Sequence, residues 1–188
     1  MSGMREDRLQ EVERVWADAD CLYPAEAVAA AVARMAQAIT ADLAGRNPLV
    51  LCVMTGALLP TALLLQHLAF PLELDYLHAT RYDGEIQGAA LRWIHEPRVS
   101  LMGRVVLLVD DILDEGVTLH TLQTWCAGQG AVELRTAVLT QKCHDRNRLD
   151  TRADYVGLEV PDRYVFGAGM DYKGYWRNVP GIYAVRGT

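Results

Sequence analysis

Residues 105–119, VVLLVDDILDEGVTL, set four acids and a glycine behind a run of apolar side chains. A continuous apolar run of this kind is buried on both faces of a parallel sheet. It therefore delivers Asp110 and Asp111 to the carboxyl end of a strand, the edge where open α/β sheets place their ligands. Asp114, Glu115, Gly116, Val117 and Thr118 then open a helix. Backbone N–H groups at a helix start lack partners within the helix and can converge on a phosphate. Gly116 can take a φ that other residues resist, and Thr118 adds a hydroxyl donor. Four acids beside an anion site repel a phosphate unless they face something else. Sugar hydroxyls or a Mg²⁺ ion resolve that conflict.

These residues need a scaffold, and the chain supplies one. Residues 49–54 form a short apolar run with β-branched members, Gly56 breaks it, and residues 58–68 have helical character with Pro60 in a first turn. Together, residues 48–70 are long enough to span a bilayer, but Thr55, Gly56, Pro60, Thr61, Gln66 and His67 interrupt them. Strand, loop and helix fit better than a membrane span. Upstream, Val28, Val32, Met35, Ile39 and Leu43 recur at helical steps and predict a helix over residues 24–44, ended by Gly45. Residues 72–78 alternate as a strand, 79–89 read as a loop rich in Gly and charge, and 91–94 return as a strand. A helix over 117–127 and strands over 133–140 and 155–160 complete an alternation of strands and helices. That pattern implies βαβ units with right-handed crossovers. The fold class is α/β, a mainly parallel twisted sheet flanked by helices. The last thirty residues carry Tyr164, Tyr172, Tyr175, Trp176 and Tyr183 among Gly and Pro, and read as a small irregular hood lobe.

Composition narrows the function classes. With 51% hydrophobic and 22% charged residues in 188, the chain has enough apolar surface for a core and lies far from the disordered regime. A net charge of −6 with no Lys/Arg run argues against nucleic acid as a partner. Cys21, Cys52, Cys126 and Cys143 form no C-x-x-C, and His67, His78, His95, His120 and His144 show no i, i+4 ligand spacing, so a structural zinc is not expected. The amino terminus, MSGMREDRLQEVER, lacks the apolar run of a secretory signal, which places the expectation in the cytoplasm. The letters of residues 110–114 also satisfy D-D-x-x-D, a metal-diphosphate motif of all-helical isoprenoid synthases. The strand-like run ahead of them and the short chain count against that fold.

From about Pro24 onward the chain resembles the type I phosphoribosyltransferases, and among them the 6-oxopurine, hypoxanthine-guanine branch. VVLLVDDILDEGVTL looks like that family's motif for 5-phosphoribosyl-1-pyrophosphate (PRPP), and ADYVGLEVPDRYVFGAGMDYKGYWRNVPGIYAV like its purine and pyrophosphate lobe. The resemblance implies a single phosphoribosyltransferase domain over 1–188, with 1–23 and about 155–188 contributing the hood. It places Asp110 and Asp111 on the ribose hydroxyls and residues 114–118 on the 5′-phosphate. Asp114 falls beside ring nitrogen 7 of the purine as the catalytic base. Lys142 reaches the 6-oxo group, Tyr164 stacks on the base, and Val165 contacts it through its backbone. Asp171 lies in the purine subsite near a second Mg²⁺, and the metal set is Asp110, Asp111 and Asp171. Met54, Thr55 and Gly56 match the pyrophosphate loop, Arg177 the pyrophosphate-binding arginine, and Thr80, Arg81 and Tyr82 the loop that closes over the site.

Three positions depart from the family pattern. Thr55 stands where Lys or Arg is usual, Glu115 where Thr or Ser is usual, and Arg81-Tyr82 where Ser-Tyr is usual. Glu115 must therefore point away from the phosphate with only its N–H turned inward. The implied activity is purine salvage: transfer of phosphoribosyl from PRPP to hypoxanthine or guanine, with Mg²⁺, in a homodimer or homotetramer, with no nucleic acid or membrane involved. The choice between the two bases falls to backbone carbonyls around Val165 and Asp171. The alternative from a different class is a non-catalytic regulator that senses PRPP or a nucleotide on the same fold.

Overall fold

Two apolar runs, residues 49–54 and 105–109, lie side by side at the centre of a six-stranded sheet. The structure is a computed structural model and describes residues 2–81, 91–146 and 149–187. In chain order the elements are α1 (Ser2–Asp18), β1 (Asp20–Tyr23), α2 (Ala25–Leu43), β2 (Leu49–Met54), α3 (Leu58–Leu65), β3 (Glu73–Arg81) and β4 (Leu91–His95). Then come β5 (Val105–Leu113), α4 (Val117–Gly128), β6 (Glu133–Cys143), β7 (Tyr155–Pro161), β8 (Val165–Phe166) and β9 (Ile182–Ala184).

The main sheet has the order β4-β3-β2-β5-β6-β7 and is parallel except for β4, which returns antiparallel to β3. From β2 the chain builds outward through β3 and β4, then crosses back to β5 and builds through β6 and β7 in the other direction. The switch point lies between β2 and β5, so the loops after those strands frame a crevice.

The helical stripe behaves as its spacing demands. Val28, Val32, Met35, Ile39 and Leu43 of α2 are all buried, with Ala31 and Ala36 filling between them. Each fully buried aliphatic is worth about 1.5–3 kcal/mol over its exposed state, so the stripe alone docks the helix. Met35 packs over Gly157 of β7, where an added Cβ would come within 2.8 Å of its sulfur.

β1, β8 and β9 make a separate three-stranded antiparallel sheet, so the aromatic-rich tail has a regular framework. The amino-terminal helix α1, for which the sequence carries no clear stripe, is held there by aromatic contacts. Trp16 stacks on Trp176 at 5.4 Å and meets Tyr183 edge-on at 4.7 Å. Trp176 Nε1–H donates to the Val12 carbonyl at 2.8 Å, and Tyr172 donates its hydroxyl to Glu11 at 2.9 Å.

Three boundaries differ from the sequence expectation. Residues 155–161, grouped above with the hood, form β7 in the main sheet, because β6 offers them a parallel partner from Ala137 to Cys143. β3 runs on to Arg81, so Ala79, Thr80 and Arg81 are strand rather than loop, paired to Trp93, Arg92 and Leu91. Tyr82 and the rest of the expected closing loop up to residue 90 lie outside the described residues. β5 and β6 also extend past their apolar runs, carrying Asp110, Asp111 and Lys142 as strand residues. No helix among the described residues is long and apolar enough to cross a membrane.

Candidate active site

Asp110 and Asp111 sit near the carboxyl end of β5, and the backbone N–H of Asp111 donates to Asp110 Oδ1 at 2.9 Å. Asp110 is only 7% exposed. Burial and the neighbouring Asp111 charge push its carboxyl well above the usual range, and burial raises Asp111 as well. The loop after β2 closes against this pair. A Cβ added to Gly56 would fall 1.8 Å from Asp111 Oδ2, so only glycine lets the loop approach so near.

Past β5 the chain turns through Asp114, Glu115 and Gly116 into α4. Gly116 has φ 81°, in the left-handed region, and stands at the helix N-cap. Glu115 turns its carboxylate toward the Arg146 guanidinium, 3.6 Å from Nε. Gly116 and Thr118 line a cavity of about 420 Å³ together with Thr55, Gly56, Asp110, Asp111 and Arg177. Val117 is the first residue of α4.

A second cavity of about 190 Å³ adjoins the first and shares Asp111, Ile112, Asp114 and Asp171 with it. Lys142, Tyr164, Val165 and Met170 form its remaining walls. Tyr164 is half-exposed with its ring edge-on to Tyr172 at 5.3 Å, and Val165 is buried in β8. Lys142 projects from the end of β6, 13% exposed, with Nζ 2.9 Å from Asp114 Oδ2. The register of β5 on β6, Ile112 opposite Thr140 and Leu113 opposite Gln141, brings these residues together across 28 positions of sequence.

Two of the four acids at the head of α4, Asp114 and Glu115, have cationic partners nearby. Asp114 Oδ1 is 2.7 Å from His144 Nε2 and 3.5 Å from Arg146. Burial works to raise the Asp114 carboxyl, but hydrogen bonds from Lys142 and His144 outweigh it and hold the group below the usual carboxylate range. Asp171 binds the Arg177 guanidinium at 2.5 Å and accepts the Gly174 N–H at 2.6 Å. Arg177 also donates to the Gly169 carbonyl at 2.7 Å and lies 3.8 Å from Asp111 Oδ2.

Of the residues singled out from sequence, Thr55, Gly56, Asp110, Asp111, Asp114, Gly116, Thr118, Lys142, Tyr164, Val165, Asp171 and Arg177 line the two cavities. Glu115 pairs outward with Arg146. Thr80 is exposed near the end of β3, and Ala79 rather than Thr80 lines the larger cavity. The sequence analysis did not single out His144, Arg146 or Asp162 as site residues. Asp162 accepts from Arg146 at 2.7 Å and lies 4.0 Å from Lys142 Nζ. The signal for His144 was available: it follows Lys142 by two residues, and alternate positions at a strand end share a face.

Asp114, His144 and Asp162 bring one ligand atom each within 4.8 Å of the others. Lys142 and Arg146 pair with those carboxylates, so the group is bound together as an ion-pair knot. A larger cavity, about 530 Å³, lies between α3, β2 and β3, lined by Cys52, Leu58, Leu74 and Tyr76 among others, and shares Met54 with the 420 Å³ cavity.

The family model for the phosphoribosyl transferase domain matches residues 18–173. The chain is 31% identical over 174 residues to a hypoxanthine-guanine-xanthine phosphoribosyltransferase of Tritrichomonas foetus, covering 93% of this chain and 92% of that one. It is 31% identical over 160 residues to a hypoxanthine-guanine phosphoribosyltransferase of Streptococcus thermophilus, covering 85% and 88%. Among solved structures, a hypoxanthine-guanine phosphoribosyltransferase from Bacillus anthracis superposes with a TM-score of 0.83 at 29% identity, covering 88% of this chain and 98% of that one.

Proposed function

The chain belongs to the phosphoribosyl transferase domain family, and on that premise we propose that it is a purine-salvage enzyme. It transfers the 5-phosphoribosyl group of PRPP to hypoxanthine or guanine, releasing pyrophosphate. One observation carries this reading: a carboxylate and an ammonium, Asp114 and Lys142, stand 2.9 Å apart in the wall of a small cavity that opens onto a glycine-started helix. That pair matches the adjacent donor and acceptor of an oxopurine, N7–H and the 6-oxo group.

The remaining residues fall into place around the displacement at the anomeric carbon. Backbone N–H groups at Gly116 and Val117 and the Thr118 hydroxyl receive the 5′-phosphate, with Glu115 drawn aside by Arg146. Asp110, whose carboxyl burial favours in its neutral form, and Asp111 face the ribose hydroxyls. Tyr164 provides a platform for the ring, and Val165 meets it through the backbone. As positive charge grows on the ribose and negative charge on the leaving group, Arg177 and the loop at Thr55 and Gly56 stabilise the pyrophosphate. Asp114 takes the N7 proton.

Asp110, Asp111 and Asp171 offer hard carboxylate oxygens, the donor type that Mg²⁺ accepts, and they share the cavity assigned to pyrophosphate. Mg²⁺ takes only one or two protein carboxylates and fills its remaining positions with water and substrate phosphate oxygens, so members of this set would hold it without forming a closed cage. When bound there, it supplies charge neutralisation of the pyrophosphate as the bond to C1′ breaks. The residues of 1–23, with those after β7, form the hood that presents Tyr164, Asp171 and Arg177 to the main sheet.

Incubation with PRPP, Mg²⁺ and each purine, followed by chromatography of nucleotide and pyrophosphate, tests the assignment. Hypoxanthine or guanine is expected to be converted stoichiometrically, and chelation of the metal to stop the reaction. PRPP binding with no product under any base supports the non-catalytic sensor instead.

A homodimer or homotetramer completes the proposal, and the face around the 530 Å³ cavity is the surface for it. Leu58 of α3, Leu74 and Tyr76 of β3 and Ile94 of β4 are 50%, 53%, 42% and 57% exposed there, a cluster of exposed apolar side chains at one sheet edge and the helix beside it. Sedimentation at micromolar concentration is expected to give a multimer that Leu74→Asp dissociates. A monomeric wild-type chain removes this part of the proposal.

A further inference from the structure

His144 stands just past the end of β6 with its side chain 5% exposed. Its ring has a partner on each nitrogen. The backbone N–H of Arg146 donates to Nδ1 at 3.0 Å, and Nε2 lies 2.7 Å from Asp114 Oδ1. A nitrogen that accepts an N–H carries no proton of its own, so the ring proton resides on Nε2 and is donated to the carboxylate.

We propose that His144 is a positioning residue for Asp114, holding Oδ1 so that Oδ2, on the Lys142 side, meets the imidazole edge of the purine. This rests on the assignment of Asp114 as the base for N7. The three donors on Asp114 do not serve alike. Lys142 is itself a wall of the base cavity and moves its contact to the 6-oxo group when the purine enters. Arg146 is 3.5 Å from Oδ1 and is bound from its other sides by Asp162 and Glu115. His144 stands behind the cavity wall, and the Arg146 backbone fixes its ring in turn. It is the donor that stays on the carboxylate throughout the reaction, and a carboxylate held in one rotamer is already aligned for proton transfer.

Two substitutions separate the ring's contacts. Asn reproduces the Nδ1 position and can accept the Arg146 N–H but cannot reach Asp114, whereas Gln places an N–H where Nε2 stands. H144N is expected to lower kcat about 10- to 100-fold, the effect of losing a hydrogen bond to a charged group, while KM for PRPP is unchanged. H144Q is expected to recover most of that loss. An H144N enzyme with wild-type kcat, or an H144Q enzyme as slow as H144N, overturns the proposal. Asp114→Asn assayed alongside keeps the two assignments apart: if it is fully active, the base assignment fails, and if it is impaired while H144N is not, only the positioning role fails. The ¹⁵N resonances of the wild-type ring give a measurement that needs no variant. A protonated Nδ1 overturns the proposal, and a bare Nδ1 with a protonated Nε2 supports it.

Discussion

Asp114→Asn is expected to lower turnover by about 10² to 10⁴, the usual worth of a positioned general base, while PRPP binding survives. Asparagine has nearly the same shape and keeps one oxygen acceptor, so the loop into α4 and its backbone N–H groups stay in place. What disappears is the charge and the capacity to take a proton. In the free enzyme the Asp114 carboxyl is held below the usual range, with Lys142 and His144 the chief stabilising partners, which makes it a weak base. Binding of a purine changes that. On the proposed assignment, Lys142, 2.9 Å from Oδ2, shifts its hydrogen bond to the 6-oxo group, and the loss of one donor makes the carboxylate more basic where the N7 proton must go. Steady-state kcat with hypoxanthine, together with PRPP affinity by calorimetry, checks the claim. An unchanged turnover number removes Asp114 from the mechanism.

The second large effect is on base choice. kcat/KM for hypoxanthine is expected to exceed that for adenine by about 10⁴, because a site built to hydrogen-bond a group rejects the analogue that lacks it. A 6-oxo group accepts from Lys142, whereas adenine's 6-amino group turns N–H donors toward an ammonium. Lys142 is only 13% exposed, so water does little to repair the mismatch. The alternative for Lys142, to stay on Asp114, leaves the base without its acceptor for N7–H. Competition assays with the two purines measure the ratio directly, and comparable rates overturn the specificity argument.

Much of the scaffold was legible before any coordinates. The buried runs at 49–54 and 105–109, the α2 stripe and the glycine opening α4 are local patterns, each written within about twenty residues, and each became the element its spacing implied. The hood was legible only as a cluster of aromatics. Its helix α1 carries only a short apolar stripe, Leu9, Val12 and Trp16, and is held by Trp176, Tyr183 and Tyr172 from the far end of the chain. The extension of β3 through Arg81 was hidden for a related reason, since strand length depends on whether a neighbour offers backbone partners.

The candidate site divides along the same line. Residue types and their order are covalent facts, so the acids of residues 110–115 and Gly116 were readable from the sequence, whereas Lys142, Tyr164, Asp171 and Arg177 joined them only through the family resemblance. Which charges neutralise one another was not. That outcome depends on the register of β5 against β6, which sets Asp114 on Lys142 and His144, and on the turn after β7 that brings Asp162 to Arg146. Coulomb and hydrogen-bond energies vary over a few ångströms, whereas sequence separation leaves such distances undetermined. Only the packed sheet could therefore decide that Arg146 is the partner of Glu115, that Asp114 is gripped on both oxygens, and that His144 is one of the groups gripping it.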